Sequence, residues 1–333
     1  MKDYKKSVNY GVGLLLGLYT SVCLASVTPF IIDTDVGIDD AIAIIYFASK
    51  PQIKILALTI ASDGLSPCKT AFPNARGLLA LMGKQAIPVA CGDDQPLRGG
   101  HVFPAIFREH QKRWLNTANF FPLDKTPVTH HAVDLLITEL RRSPQPVAIL
   151  AIGPLTNIAE ALQKDPAIKQ KISRVYCMGG AIHVAGNVGD EVTQPNRRAE
   201  WNIYADPKAA AIVLATLPVT LIPLDVTNQL PLNHAFYQQL KRHHQSLAAK
   251  YLYQVVTDHQ QLLQSGGWYF WDVVAAVAAI KPQLFNAENI RLSVALEPLT
   301  AGSLVTSQNG QTLQVMMRVN QADFNKELLK SID

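Results

Sequence analysis

Four aspartates stand within eight residues of one another near the start of this chain, in the run Asp33-Thr34-Asp35-Val36-Gly37-Ile38-Asp39-Asp40. Carboxylates this close repel one another and resist ionising together. A hard divalent cation relieves that repulsion, and oxygen-only donors favour calcium or magnesium. The plainer alternative is that Asp39 caps a helix while the others are solvated. Capping accounts for one aspartate and leaves three set against an apolar strand, so a metal or catalytic role is the stronger reading. A further carboxylate, Asp272, lies between Trp271 and the apolar run Val273-Val274-Ala275-Ala276, where it opens a buried helix as a functional group or as its N-cap. His243-His244 carries less weight, because adjacent residues on a helix do not share a face and make a poor metal pair.

These residues need elements to position them. Pro29 to Asp33 is apolar and β-leaning, and Ile38 to Ser49 follows with helical spacing. The acidic run therefore falls at the carboxyl end of a strand, where open α/β sheets bind their ligands. Strands are predicted again at 53–61, 87–90, 147–152, 174–178 and 219–224. Helices are predicted at 69–82, 131–142, 155–163 and 206–217, with a loop-rich stretch running to about Thr129. The strands are too apolar for a half-exposed sheet. The alternation predicts an α/β fold with an open, mainly parallel sheet and helices on both faces. Asn233 to Gln264 reads as one or two long helices able to stand outside the sheet as a cap. Ile290 to Val319 reads as a small antiparallel hairpin at the sheet edge.

The chain has 333 residues, 48% hydrophobic and 17% charged, which suits a well-packed globular protein rather than a disordered one. Of the formal charge of +4, half comes from Lys2, Lys5 and Lys6 against Asp3. The remainder is too weakly basic, and too free of Lys/Arg stripes, for a nucleic-acid partner. Residues 1–25 read as a secretory signal peptide: a charged start, an apolar stretch from Val12 to Leu24, and a small residue, Ala25, before the cut. Residues 26–333 then form one exported domain, periplasmic or secreted, with no stable membrane insertion after cleavage. A membrane anchor and a lipid-modified Cys23 stay open as alternatives. Cleavage leaves Cys68, Cys91 and Cys177, an odd number with no zinc spacing. Buried small hydrophobes are the plainer reading of these, and a Cys68–Cys91 disulfide stays open in an oxidising compartment.

Paired aspartates after a strand also occur in haloacid-dehalogenase-type phosphatases and glycosyltransferases, but the first group normally lacks the second acidic pair seen here. The full run from Asp33 to Ile44 resembles the N-terminal signature of the inosine–uridine-preferring nucleoside hydrolase family. Four further segments match in family order: Gly153-Pro154-Leu155-Thr156-Asn157-Ile158-Ala159, Met178-Gly179-Gly180-Ala181 with Gly186-Asn187, Ala199-Glu200-Trp201-Asn202-Ile203-Tyr204-Ala205-Asp206-Pro207, and Trp271-Asp272. The resemblance covers about residues 29–320 and implies a Rossmann-like nucleoside hydrolase fold. It implies a calcium ion held by Asp35, Asp40, the Ile152 carbonyl and Asp272, gripping the ribose diol and a water. Asp35 is then the general base, acting on an oxocarbenium-like transition state. Asp39 is implied to bond a ribose hydroxyl, and Asn187, Glu200 and Asn202 to hold the 5′ side of the sugar. Met178 packs beneath the ribose or simply ends a buried strand.

Two departures bear on the base. Ser62-Asp63 stands where many members carry Gly-Asn, and Trp271 stands where the inosine–uridine pattern usually has His. Both resemble the purine-preferring inosine–adenosine–guanosine branch, in which the base is stacked between rings, an arrangement worth about 0.5–1.5 kcal/mol per ring pair beyond burial. Asp63 and Trp271 are thus expected on the base side, and the expected reaction is hydrolysis of purine ribonucleosides to ribose and free base. Phe103, Phe107 and Trp114 are candidates for the second ring, and His101 has no assigned role. A pyrimidine or broad nucleoside preference is the runner-up, followed by a non-catalytic nucleoside-binding protein. A metal-dependent phosphatase would need a basic phosphate cradle, which the chain lacks near the aspartates. The oligomeric state is left open, a homo-oligomer included.

Overall fold

Runs rich in Ile, Val and Ala are the raw material of buried strands, and this chain has one after another. The computed structural model describes residues 27–97, 100–114, 120, 127–190, 192 and 196–332. Its strands are β1 (Thr28–Thr34), β2 (Ile53–Ile60), β3 (Val89–Cys91), β4 (Val147–Ile152), β5 (Ile172–Met178), β6 (Val219–Ile222), β7 (Phe285–Val294), β8 (Leu304–Thr306) and β9 (Gln311–Val319). They form one nine-stranded sheet in the order β3-β2-β1-β4-β5-β6-β9-β7-β8. Pairing is parallel from β3 across to β9, and antiparallel where β7 meets β9 and β8. β4 is buried along its whole length, and β1 at every residue after Thr28. Strands covered on both sides have no polar face, which is why they read as continuous apolar runs.

The helices are α1 (Ile38–Ala48), α2 (Cys68–Leu81), α3 (Ala105–Trp114), α4 (Ala132–Arg142), α5 (Thr156–Lys164), α6 (Trp201–Ala205), α7 (Pro207–Thr216), α8 (Leu224–Thr227), α9 (His234–Arg242), α10 (Leu247–Asp258), α11 (Gln260–Ser265), α12 (Trp271–Ile280) and α13 (Gln321–Ile332). One core joins α1, α2, α9, α10, α12 and α13 to the sheet through residues such as Ile42, Leu78, Phe236, Leu252, Val274 and Phe324. A second core on the other face joins α4, α5 and α7 through Leu136, Ile158 and Val213. The expected α/β architecture with helices on both faces is thus the observed one.

Three details differ from expectation. The stretch from Asn233 to Gln264 is three helices: Asn233 caps the first by accepting the Phe236 N–H (3.0 Å), Ser246 starts the second by accepting the Ala249 N–H (3.0 Å), and the third follows His259 without a side-chain cap. Phe236, Leu240, Leu252 and Val256 share the core of α1 and α12, so this segment packs against the body instead of standing outside it. The antiparallel edge begins at Phe285 rather than Ile290, and β9 lies inside it, parallel to β6. Cys68 and Cys91 form a disulfide between the start of α2 and the end of β3, while Cys177 is free and buried. Only Cys177 is therefore a plain buried hydrophobe. Among the described residues no helix is long and apolar enough to cross a membrane. The signal-peptide reading of residues 1–25 and the side chain of Trp114 lie outside the described residues.

Candidate active site

Strand β1 pairs with β2 on one side and β4 on the other, so the chain's winding reverses between β1 and β4. Such a switch point opens a crevice beyond the carboxyl ends of the strands. A cavity of about 580 Å³ lies there. Its wall includes Asp35, Asp39, Asp40, Ile152, Met178, Asn187, Glu200, Asn202, Trp271 and Asp272, ten of the eleven residues to which the sequence gives a metal, base or substrate role. The register that sets Thr34 opposite Ile152 brings the end of β4 beside Asp35.

The acidic floor is built by two helix N-termini. Asp39 and Asp40 are the second and third residues of α1, and Asp272 is the second of α12. None is an N-cap, since Gly37 and Phe270 hold those positions, which excludes the capping alternative for Asp39 and Asp272. Asp40 accepts the Gly37 N–H at 2.8 Å and the Thr34 hydroxyl. Oxygens of Asp39, Asp40 and Asp272 all lie within 4.8 Å of one another. Asp35 adjoins this set through Asp40. Burial, then the charges of Asp40 and Asp39, raises the proton affinity of Asp35. Burial and the three neighbouring carboxylates do the same to Asp272. Burial, with Asp40 adding, pushes Asp39 up to about 7. The positive ends of two helix dipoles offset part of this repulsion, and a divalent cation would remove most of it. The clustered donors, carboxylates only, fit a hard cation.

Asp35 is held from several sides. Leu65 N–H donates to its Oδ2 at 2.8 Å. A Cβ on Gly64 would fall 2.4 Å from Asp35 Cβ, and one on Gly153 2.8 Å from Asp35 N, so two glycine backbones flank this residue. Next to it Val36 has φ +55°, a left-handed conformation that a β-branched residue rarely enters. Such strain costs about 1–3 kcal/mol and persists only where neighbours over-determine it. Here Val36 N–H donates to Thr34 Oγ1 (3.0 Å) and the Ser66 hydroxyl to Val36 O (2.9 Å).

On the α6 side, Glu200 caps the helix by accepting the N–H groups of Asn202 (2.9 Å) and Ile203 (3.2 Å), and also takes Gly180 N–H at 3.0 Å. Burial outweighs these bonds and raises its proton affinity. Asn202 Nδ2 donates to the Met178 carbonyl (3.3 Å), and Asn187 Oδ1 accepts Trp201 N–H (3.1 Å). The same backbone contacts that shape the loops thus aim these side chains into the cavity.

Asp63 is the exception. It is fully buried outside the cavity wall, and its Oδ2 accepts the Thr156 hydroxyl at 2.6 Å. The turn at Gly64 sends it behind the cavity, where it supports the loop through Thr156. Asp33 likewise lies behind, accepting Thr59 Oγ1 (2.6 Å) and Asn157 Nδ2 (2.8 Å). Phe103 and Phe107 line the cavity but are engaged with Trp201, at 4.9 Å and 5.7 Å between ring centres. His101 stacks on Tyr204 (3.9 Å) and donates to its carbonyl (2.8 Å), an anchoring role. Leu65, Gln111, Trp201, Leu262 and Trp268 also form the wall and were not assigned to it from sequence. Trp201 could have been found, since it sits between Glu200 and Asn202.

Comparison with known proteins agrees with this geometry. Residues 30–326 match the family described as inosine-uridine preferring nucleoside hydrolase. The chain is 31% identical to uridine nucleosidase 1 of Arabidopsis thaliana over 296 residues, covering 88% of this chain and 85% of that one. It is 37% identical to the pyrimidine-specific ribonucleoside hydrolase RihA of Citrobacter koseri over 202 residues, 60% of this chain and 61% of that one. Its fold matches the crystal structure of an inosine-uridine preferring nucleoside hydrolase from Bacillus anthracis with a TM-score of 0.81 at 25% identity, covering 92% of this chain and 99% of that one. Matched along nearly its whole folded length, the chain belongs to the inosine-uridine preferring nucleoside hydrolase family, whose reaction is hydrolysis of the N-glycosidic bond of nucleosides.

Proposed function

We propose that this hydrolase is calcium-dependent, is exported, and acts on uridine and other ribonucleosides without the purine restriction expected from Ser62-Asp63 and Trp271. The observation that carries the chemistry is the convergence of Asp35, Asp39, Asp40 and Asp272 on one cavity floor. Asp35, Asp40, Asp272 and the Ile152 carbonyl would hold the ion, with Asp39 in reach. Calcium, when bound, supplies a water of lowered pKa and a counter-charge for the ribose diol. Asp35 takes the proton of the attacking water. The hydroxyl adds to C1′ as the C1′–N bond breaks through an oxocarbenium-like state, and the base departs with the bonding pair and gains a proton. Asp39 bonds a ribose hydroxyl, Asn187, Glu200 and Asn202 hold the 5′ side, and Met178 packs beneath the sugar.

The base preference is read from relatives named for uridine and pyrimidine nucleosides. A purine preference remains the second reading because Trp271 lines the cavity, where an indole stacks on a purine. Export is supported by the charged and apolar N-terminus, read as a signal peptide of residues 1–25 ahead of a single hydrolase domain at 26–333. The Cys68–Cys91 disulfide suits an oxidising compartment. The test is base release from uridine, cytidine, inosine, adenosine and guanosine, with and without a chelator. Uridine should match or exceed inosine, and chelation should abolish turnover until calcium is restored. A strong inosine preference overturns the base assignment, and chelator-resistant turnover overturns calcium. Asp35→Asn should lower kcat by at least about 10³-fold.

A further inference from the structure

One polar group on the cavity wall is unused by the ribose chemistry. Gln111, on α3, is 4% exposed and lines the cavity, and its Oε1 has no hydrogen-bond partner. Native proteins rarely leave a buried amide oxygen unpaired, and where they do a ligand or water commonly completes it. Trp271 Nε1, on the same wall, is a second buried polar atom without a partner. The two differ in kind: the indole only donates, whereas a carboxamide presents an acceptor and a donor side by side. The carboxylates are on α1 and α12, while α3 and the segment before it bring Phe103, Phe107 and Gln111. The rings are apolar and the amide is polar, which is the composition of a pocket for a flat heterocycle with one hydrogen-bonding edge.

We propose that Gln111 reads the lactam edge of the base and so sets specificity in the known reaction. Its Oε1 accepts the ring N–H and its amide NH2 donates to the adjacent carbonyl. Uracil and hypoxanthine both present that N–H beside C=O, so one residue serves a pyrimidine and a purine alike. The assignment rests on the nucleoside hydrolase reading above.

The test compares uridine, N3-methyluridine, whose methyl group replaces the ring N–H, and p-nitrophenyl riboside, whose leaving group has no lactam edge. Wild-type enzyme should prefer uridine to N3-methyluridine by about 10- to 100-fold in kcat/KM, the range expected when a buried acceptor loses its donor. Gln111→Met keeps the length of the side chain and removes both polar atoms. It should lower kcat/KM for uridine by about 10- to 100-fold while leaving N3-methyluridine and p-nitrophenyl riboside within about threefold. Riboside turnover in the variant reports an intact fold and intact sugar chemistry. Equal wild-type rates on uridine and N3-methyluridine overturn the proposal without recourse to any variant. So does a parallel fall of uridine and riboside turnover, or no fall at all, in Gln111→Met. A wild-type enzyme that cleaves none of these ribosides but does cleave inosine overturns the uridine assignment, and one that cleaves neither these nor inosine refutes the hydrolase reading itself.

Discussion

Two buried aspartates that end up near each other, Asp35 and Asp63, have different surroundings because the chain turns at Gly64. Spacing made Asp35 legible: four acids in one short run after an apolar strand have few structural uses. The place of Asp63 is not legible in this way, because it depends on the turn at Gly64, which must be tight for Gly64 to lie against Asp35. That turn buries Asp63 against Thr156. Burial, with the Asp206 charge adding and the Thr156 bond partly offsetting, pushes Asp63 up to about 7. An unfolded aspartate ionises near 3.9. Between about pH 4 and pH 7 the folded protein therefore holds a proton that the unfolded chain has lost, and the stability Asp63 contributes falls as pH rises through that window. Asp63→Asn removes this dependence. In urea unfolding of the chelated protein, the variant should gain on wild type between pH 5 and pH 8, by no more than about 4 kcal/mol. Parallel pH profiles would show that Asp63 is not held protonated.

At the scale of elements, the apolar runs placed β1, β2, β4 and β6 to within about two residues, as buried strands allow. They did not reveal α3. Its sequence, Ala-Ile-Phe-Arg-Glu-His-Gln-Lys-Arg-Trp, is mostly polar, and Phe107 and Gln111 line a cavity instead of a core. Among the described residues a guanidinium ties α3 to the loop after β2. Arg108 donates through Nε to Gly64 O (3.0 Å) and through Nη2 to Ser62 O (2.6 Å) and Gly64 O (3.0 Å). The loop so gripped is the one whose Leu65 N–H holds Asp35. Arg108→Ala should therefore lower kcat/KM for uridine about 10-fold, the scale of a lost charge-assisted hydrogen bond. Both KM and kcat should change, because the cavity wall and Asp35 are held by the same loop. Arg108→Lys should recover only part, since an ammonium lacks the planar fork. Unchanged steady-state kinetics in Arg108→Ala would exclude the latch.

The whole molecule raises the question of what holds its active-site loops to the sheet. The parallel pairing of the strands up to β6 followed from the βαβ alternation, but the insertion of β9 between β6 and β7 did not, because no local pattern specifies a pairing between residues nearly a hundred positions apart. The Cys68–Cys91 bridge is another long-range contact, closing a segment with a sequence separation of 23. Cys68 follows the loop that Arg108 grips, and Cys91 precedes the segment leading to α3. The bridge thus anchors both partners of that latch to neighbouring elements. A chain-entropy estimate for a loop of this length is about 3 kcal/mol. The double variant Cys68→Ser, Cys91→Ser should then melt about 5–8 °C below the oxidised wild type in calcium, and reduction of the wild type should reproduce most of that shift. Equal melting temperatures would show that the hydrogen bonds of Arg108 and the packing of α2 hold these loops without the bridge.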